Sequence, residues 1–386
     1  MKKLLIFSVA LLAAISCDNS DSDNNDEEVV IETLQGSEFS LSEFGAHTFP
    51  ATDTWVIDDL SATTADFAGI SAAIEYISSN DSSRQIEIEF SSLTEIPSFA
   101  IFGTTLSDVS RDFSSLTSVS APYVTSIGSY AFEYCDGLTS VDMPLVESVG
   151  GDAFRNCSAI ESLNFPLATT VGYSAFSGCS SLSSISIPLV ENLGDQAFRI
   201  CSSLTDIELP STLTIGEGAF GYCSSLISVY APEVLSIGAN AFCDCEALTD
   251  LYIPIVEEIG DYALISCSSL TSFTIPASLN VIGVGLFNDC ASMTEIVATN
   301  NDNYTYDEGI LYNSDQSKAL AALQAVVSGD LVLPTSVTEL TDRIFYNCTE
   351  ITSVELPSVT SVSYAAFSFW PWPHHSVTPR CNNPPK

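Results

Sequence analysis

Ala197-Phe198-Arg199-Ile200-Cys201-Ser202-Ser203-Leu204-Thr205-Asp206-Ile207-Glu208-Leu209-Pro210 is one copy of a unit that recurs along this 386-residue chain. Cysteines stand at positions 135, 157, 179, 201, 223, 245 and 267, six successive steps of 22 residues, followed by Cys290 after 23 and Cys348 after 58. Each follows an Ala-Phe pair, from Ala131-Phe132 to Ala241-Phe242, or a looser version: Ala263-Leu264, Leu286-Phe287, Ile344-Phe345. A residue held in phase over so many turns marks a repeat architecture rather than two or three globular domains.

The alternation inside the unit sets its physics. Leu204, Ile207 and Leu209 are expected to point inward, and Ile207-Glu208-Leu209 has the period-two pattern of a short strand. Pro210 cannot donate to a ladder and ends it. Ile-Gly pairs such as Ile127-Gly128 and Ile237-Gly238 should turn the chain toward the next Ala-Phe. Stacked coils then form a parallel sheet with strands about 4.8 Å apart, and about ten to twelve of them make a curved rod roughly 50 Å long. Each coil buries its apolar side only against its neighbours.

Phe113 and Phe90 take the place of Cys one and two periods before Cys135, and Trp370 does so after Cys348. A position that accepts Phe for Cys is an apolar interior site. In-register neighbours would hold their Cβ atoms about 4.8 Å apart, whereas a disulfide wants about 3.8 Å. Cys135, Cys157, Cys179, Cys201, Cys223, Cys245, Cys267, Cys290 and Cys348 are therefore expected to be a structural ladder of buried free thiols. Cys243 and Cys381 have no obvious partner. No Cys-x-x-Cys pair or Cys/His cluster occurs, so neither a metal nor a cofactor is expected.

The pattern Ile-Gly-x-x-Ala-Phe-x-x-Cys-x-x-Leu-x-x-Ile-x-Ile-Pro resembles the BspA-like leucine-rich repeats of bacterial surface proteins, over about residues 86–370. The resemblance implies a mainly β, right-handed solenoid of 22- to 23-residue repeats with a concave parallel sheet. It further implies export, with adhesion or ligand binding rather than catalysis. Its members differ widely in ligand, so no functional residue is carried over.

Seven segments follow. Residues 1–16 combine Lys2-Lys3 with a short apolar run, as a signal peptide does. Ala14-Ile15-Ser16-Cys17 resembles the lipobox of bacterial lipoproteins, which would make Cys17 the lipidated first residue. Residues 17–36 begin with an acidic stretch, 18–28, without one apolar side chain, and read as a solvated tether. Acidic residues at this place resemble the surface-export signal of some Gram-negative lipoproteins, so the expected location is the cell surface, lipid-anchored to the outer membrane.

Residues 37–90 read as a small α/β cap for the open end of the solenoid. It holds a helix opening at Thr63-Thr64-Ala65-Asp66 with Phe67, Ile70, Ala73, Ile74 and Ile77 on one face, and strands at Trp55-Val56-Ile57 and Ile86–Phe90. Repeats fill 91–298. Residues 299–333 break the phase with a hairpin around Ser314-Asp315-Gln316, final repeats occupy 334–370, and 371–386 is an irregular Pro-rich tail.

The charge narrows the function. The chain carries 49 acidic and 10 basic residues, a net of −39, and removal of Lys2 and Lys3 with the signal leaves −41. Such a chain does not bind nucleic acid, which needs a basic stripe. It should also repel anionic lipid, so only the lipid anchor would hold it to a membrane. The three His, at 47, 374 and 375, lie outside the regular repeats, and no nucleophile motif or phosphate loop is present. A polysaccharide-processing β-solenoid would want basic groups in an acidic groove. Here only Arg155 and Arg199 are basic in the regular coils, and both read as solvated turn residues. The chain is thus expected not to be an enzyme, with a glycan-active role and a surface spacer as the alternatives.

Binding is more legible. One outward column of the sheet runs Ser118, Ser140, Ser162, Ser184, Asp206, Ser228, Asp250, Ser272; the next runs Ser120, Asp142, Asn164, Ser186, Glu208, Tyr230, Tyr252, Thr274. Tyr230 and Tyr252 on adjacent coils, beside Asp206, Glu208 and Asp250, make the candidate ligand patch. Aromatic faces flanked by carboxylates suit a glycan or an extracellular protein. The chain is expected to act as a monomer.

Overall fold

The computed structural model describes residues 85–90, 93–101, 113–298, 300–363 and 365–368, with the strands Lys3–Phe7, Ile31–Thr33, Thr52–Ile57 and Ser376–Pro379. It also describes helical positions at Phe67, Ser71, Ile74, Glu75 and Ser78. Cys17, His47, Trp370, His374, His375 and Cys381 lie outside the described residues. The chain is a parallel-strand solenoid of about 11 turns. It divides into two compact units, Met1–Ile187 and Pro188–Lys386.

In the first unit, Thr52–Ile57, Gln85–Phe90, Leu116–Ser120 and Ser140–Asp142 pair in parallel in that order, and Lys3–Phe7 lies on the far side of Thr52–Ile57. Ser162–Asn164 pairs with Ser184–Ser186. The helical positions Phe67, Ser71, Ile74 and Ser78 are all buried; Ile70, Ala73 and Ile77, expected on the same face, lie outside the described residues. The buried face is mixed rather than apolar because its hydroxyls engage backbone groups. Ser71 Oγ donates to the carbonyl of Ile101, and the Ser115 N–H donates to Ser78 Oγ at 3.1 Å.

In the second unit, Asp206–Glu208, Ser228–Tyr230 and Asp250–Tyr252 pair in parallel, and Ser272–Thr274 pairs with Glu295–Val297. Leu204, Ile207 and Leu209 are buried, as their alternation predicts. The Leu209 N–H adds one more inter-coil bond, to Tyr230 O at 2.8 Å, before Pro210 removes the next donor.

The Ile-Gly segments, expected only to turn the chain, form a second ladder. Asn192–Leu193, Thr214–Ile215, Ser236–Ile237, Glu258–Ile259 and Val281–Ile282 pair in parallel in the second unit. Glu95–Ile96, Ser126–Ile127, Ser148–Val149 and Thr170–Val171 do so in the first. The glycine that follows every one of these doublets but Glu95–Ile96 serves close approach more than turning. A Cβ on Gly238 would sit 2.6 Å from the Glu217 nitrogen of the preceding coil, and one on Gly128 would sit 2.2 Å from that of Ser98.

The Ala-Phe turn carries a third set of inter-coil bonds. The N–H groups of Gln196, Phe198 and Ile200 donate to the carbonyls of Glu217, Ala219 and Gly221 at 2.7, 2.7 and 2.8 Å. Gln196 and Ile200 reach those partners with φ of 57° and 64°, in the left-handed region. Between them Phe198 points inward and stacks on Phe220 at 5.4 Å, which stacks on Phe242 at 5.3 Å. In the first unit Phe132, Phe154 and Phe176 do the same at 5.2 and 5.7 Å. Each buried Phe contributes about 1.5–3 kcal/mol from burial and about 0.5–1.5 kcal/mol more from ring contact, beside the buried Leu204, Ile207 and Leu209 of the same coil.

Beyond residue 298 the coil pattern changes. Tyr304–Asp307 pairs antiparallel with Ile310–Asn313, which pairs antiparallel with Lys318–Ala322. Lys318–Ala322 then hands on in parallel to Glu339–Leu340 and Ser361–Val362, so the doublet ladder resumes after the interruption.

Candidate functional site

The outward faces of the triplet strands carry the residues singled out from the sequence. In the second unit Asp206, Ser228 and Asp250 stand in register, as do Glu208, Tyr230 and Tyr252. The Tyr230 and Tyr252 rings stack at 5.2 Å with 5° between their planes, and each stays about half exposed, at 47% and 48%. Ser228 Oγ donates to Asp206 Oδ1 at 2.5 Å. Glu208 and Asp250 are exposed. The five residues thus share one surface: two parallel ring faces bordered by three carboxylates.

The column runs beyond Ser272. Glu295 pairs with Ser272 and Val297 with Thr274, and Ser272 lies one 22-residue period after Asp250, so Glu295 follows Asp206 and Asp250 as the third carboxylate at this repeat position. Its signal was present, since Glu295 follows Cys290 by the same five residues that separate Asp206 from Cys201. The 23-residue step hid it.

Next to Glu295 the interruption opens a cleft of 410 Å³, lined by Glu295, Val297, Asn301, Tyr304, Thr305 and Tyr306 among others. Its walls are braced by hydrogen bonds. Tyr304 O–H donates to Asn280 O at 2.7 Å, Asn301 Nδ2 donates to Pro276 O and Leu279 O, and Tyr306 O–H donates to Thr294 O at 3.4 Å. Burial and then the Glu295 carboxylate push the Tyr306 hydroxyl above its ordinary value, so it stays neutral. Nothing in the sequence pointed to Tyr306, because its position depends on an antiparallel pairing outside the repeat.

The two turn arginines are not the plain solvated groups expected. Arg155 reaches Glu133 at 3.5 Å and Asp152 at 3.4 Å, both carboxylates being nearly buried. Burial pushes Glu133 up to about 7, against the pull of Arg155, and raises Asp152 as well. Arg199 lies over the Tyr222 ring at 4.9 Å, a cation–π contact. Turn residues of neighbouring coils sit one ladder step apart, so Arg155, still partly exposed, reaches Glu133 of the preceding coil as well as Asp152 of its own.

No disulfide joins any of the ten described cysteines, all of them buried. Among the described residues no group of three or more His, Cys, Asp or Glu is arranged to hold a metal ion. No helix among them is long and apolar enough to cross a membrane.

The family model for the BspA type leucine rich repeat region matches six copies, over residues 125–249, 213–329 and 322–374. Among solved structures, a leucine rich cell surface protein from Faecalibacterium prausnitzii is similar at 28% identity and a TM-score of 0.50. The match covers 62% of this chain and 60% of that one. A leucine-rich repeat protein from Bacteroides ovatus is similar at 23% identity with a TM-score of 0.38, over 63% of this chain and 76% of that one. No curated protein matches the sequence.

Proposed function

The chain belongs to the BspA-type leucine-rich-repeat family, and from that premise we propose that it is a non-catalytic binding or adhesion lipoprotein. The family is one of bacterial surface proteins whose repeats are generally scaffolds for protein binding. In this reading the chain acts as a monomer, is lipidated at Cys17, is anchored at the outer-membrane surface, and takes an extracellular protein or glycan on the outward triplet face. The observation that carries it is the Tyr230–Tyr252 stack, half exposed beside Asp206, Glu208 and Asp250. Aromatic faces with an adjacent polar rim are what binding hot spots are built from.

The experiment is an array of glycans and extracellular-matrix proteins probed with the purified chain at low and physiological salt. A saturable hit, lost in a Tyr230→Ala/Tyr252→Ala variant that keeps its circular dichroism, supports the reading. Adhesion and array binding unchanged in that variant would remove this patch as the site. Incorporation of labelled fatty acid into the wild type but not into Cys17→Ser tests the anchor.

A further inference from the structure

The outward face has a spacing that points to one class of partner. Carboxylates recur on alternate coils, at Asp206, Asp250 and Glu295, with Ser228 and Ser272 between them. At about 4.8 Å per strand, alternate coils repeat roughly every 10 Å. The two outward columns from 206 to 297 hold no Lys or Arg, so this acidic line has no cation of its own columns beside it. Next to it run the stacked Tyr230 and Tyr252, and at its end opens the cleft between Glu295 and Tyr306.

An extended strand laid across the coils would place same-face residues about 7 Å apart and drift out of phase. A polyproline II helix has three residues per turn and about 3.1 Å rise, so every third side chain returns to the same face after about 9 Å. That repeat matches two coils. Proline-rich segments in this conformation also dock on exposed aromatic side chains, and the half-exposed, stacked Tyr230 and Tyr252 bordered by acids provide such a surface.

We infer that the partner surface of this protein takes a proline-rich segment in polyproline II conformation carrying a Lys or Arg at every third residue. The segment crosses the strands along Asp206, Asp250 and Glu295, with its apolar side against Tyr230 and Tyr252. Its last cation enters the 410 Å³ cleft between Glu295 and the Tyr306 ring. This rests on the binder reading above and narrows it to a protein ligand.

The test uses the full chain and three fluorescent twelve-residue peptides of equal charge, followed by anisotropy at physiological salt. One is proline-rich with Lys at every third position; the second has the same composition with its lysines adjacent; the third is helical with lysines seven apart. The first should bind about tenfold more tightly than the others, in line with charge pairs that fix register as well as attract. Asp250→Asn and Glu295→Gln, both at exposed positions, should each erase that preference while leaving the fold intact. Equal binding of all three peptides, or preference for the helical one, overturns the inference. So does silence from all three; if an array ligand still depends on Tyr230 and Tyr252 in that case, the binder reading survives and only the polyproline assignment falls.

Discussion

Cys223 Sγ donates to the carbonyl oxygen of Phe198 at 3.1 Å, and the same oxygen accepts the Cys201 N–H at 3.1 Å. The arrangement repeats one coil on, where Phe220 O accepts from Cys245 Sγ and the Cys223 N–H. The column therefore wants more than an apolar filler. A thiol is small enough to sit beside the phenylalanine stack and supplies a weak donor to a buried carbonyl with a second lone pair to satisfy. Phe113 and Phe90 fill equivalent places by volume alone, both fully buried.

The thiols should be chemically silent. Burial pushes Cys223, Cys179 and Cys290 up to about 12, so at pH 8 only about one in ten thousand is thiolate, the reactive form. Native protein treated with a thiol reagent should leave the ladder unlabelled until it is denatured. Cys223→Ala should cost about 1–2 kcal/mol, from the lost volume and the carbonyl left with one donor. Mass spectrometry of labelled peptides and urea unfolding check the two statements; fast labelling of Cys223 in folded protein would contradict the first.

Gly238→Ala should destabilise by about 2–3 kcal/mol, because the added methyl meets backbone and not a side chain that could swing away. The Glu217 nitrogen and the Gly216 carbonyl carbon lie 2.6 and 2.7 Å from the new Cβ. A chemical-denaturation midpoint equal to wild type would show that the coils can separate locally at no cost.

Ile200→Asn should raise stability by about 1 kcal/mol. A β-branched residue at φ 64° is strained in the left-handed region, whereas Asn tolerates it. Asn156, at the equivalent place two coils earlier in sequence, has φ 60°. Ile200 is 41% exposed, so little burial is lost with the change. Differential scanning calorimetry would read the gain as a higher Tm.

Glu133 makes stability fall as pH rises. Its carboxyl ionises near 4.5 in the unfolded chain and near 7 when folded, chiefly through burial. The folded state therefore binds the extra proton in that window, and the contribution is present below pH 4.5 and lost as pH rises through 7. Glu133→Gln should flatten the part of the decline that this residue causes. Urea midpoints at pH 5 and pH 8 for wild type and variant give the comparison, and an identical drop in both would reject it.

The Tyr230→Ala/Tyr252→Ala variant should stay within about 1 kcal/mol of wild-type stability, the usual worth of a cross-strand aromatic pair. Thermal melting checks this, and a larger loss would assign the stack to folding instead of recognition.

Periodicity determined the solenoid by itself. One Cys, one Ala-Phe and three alternating apolar residues per 22 fix which side chains face inward, because each coil can bury them only against the coils beside it. The acidic composition and the outward columns were equally legible, since a strand's alternation places its even residues as soon as the odd ones are assigned.

What the tertiary structure decided lies where backbones of different coils meet. The doublet ladder, the left-handed residues flanking each Ala-Phe, and the thiol-to-carbonyl bonds are satisfied between residues at least 21 apart in sequence. No local propensity encodes them, and Ile200 contradicts propensity outright. The Arg155 cluster and the cleft beside Glu295 follow the same rule. Each joins side chains whose proximity is set by coil stacking or by an antiparallel pairing, and neither distance exists until the coils are in place.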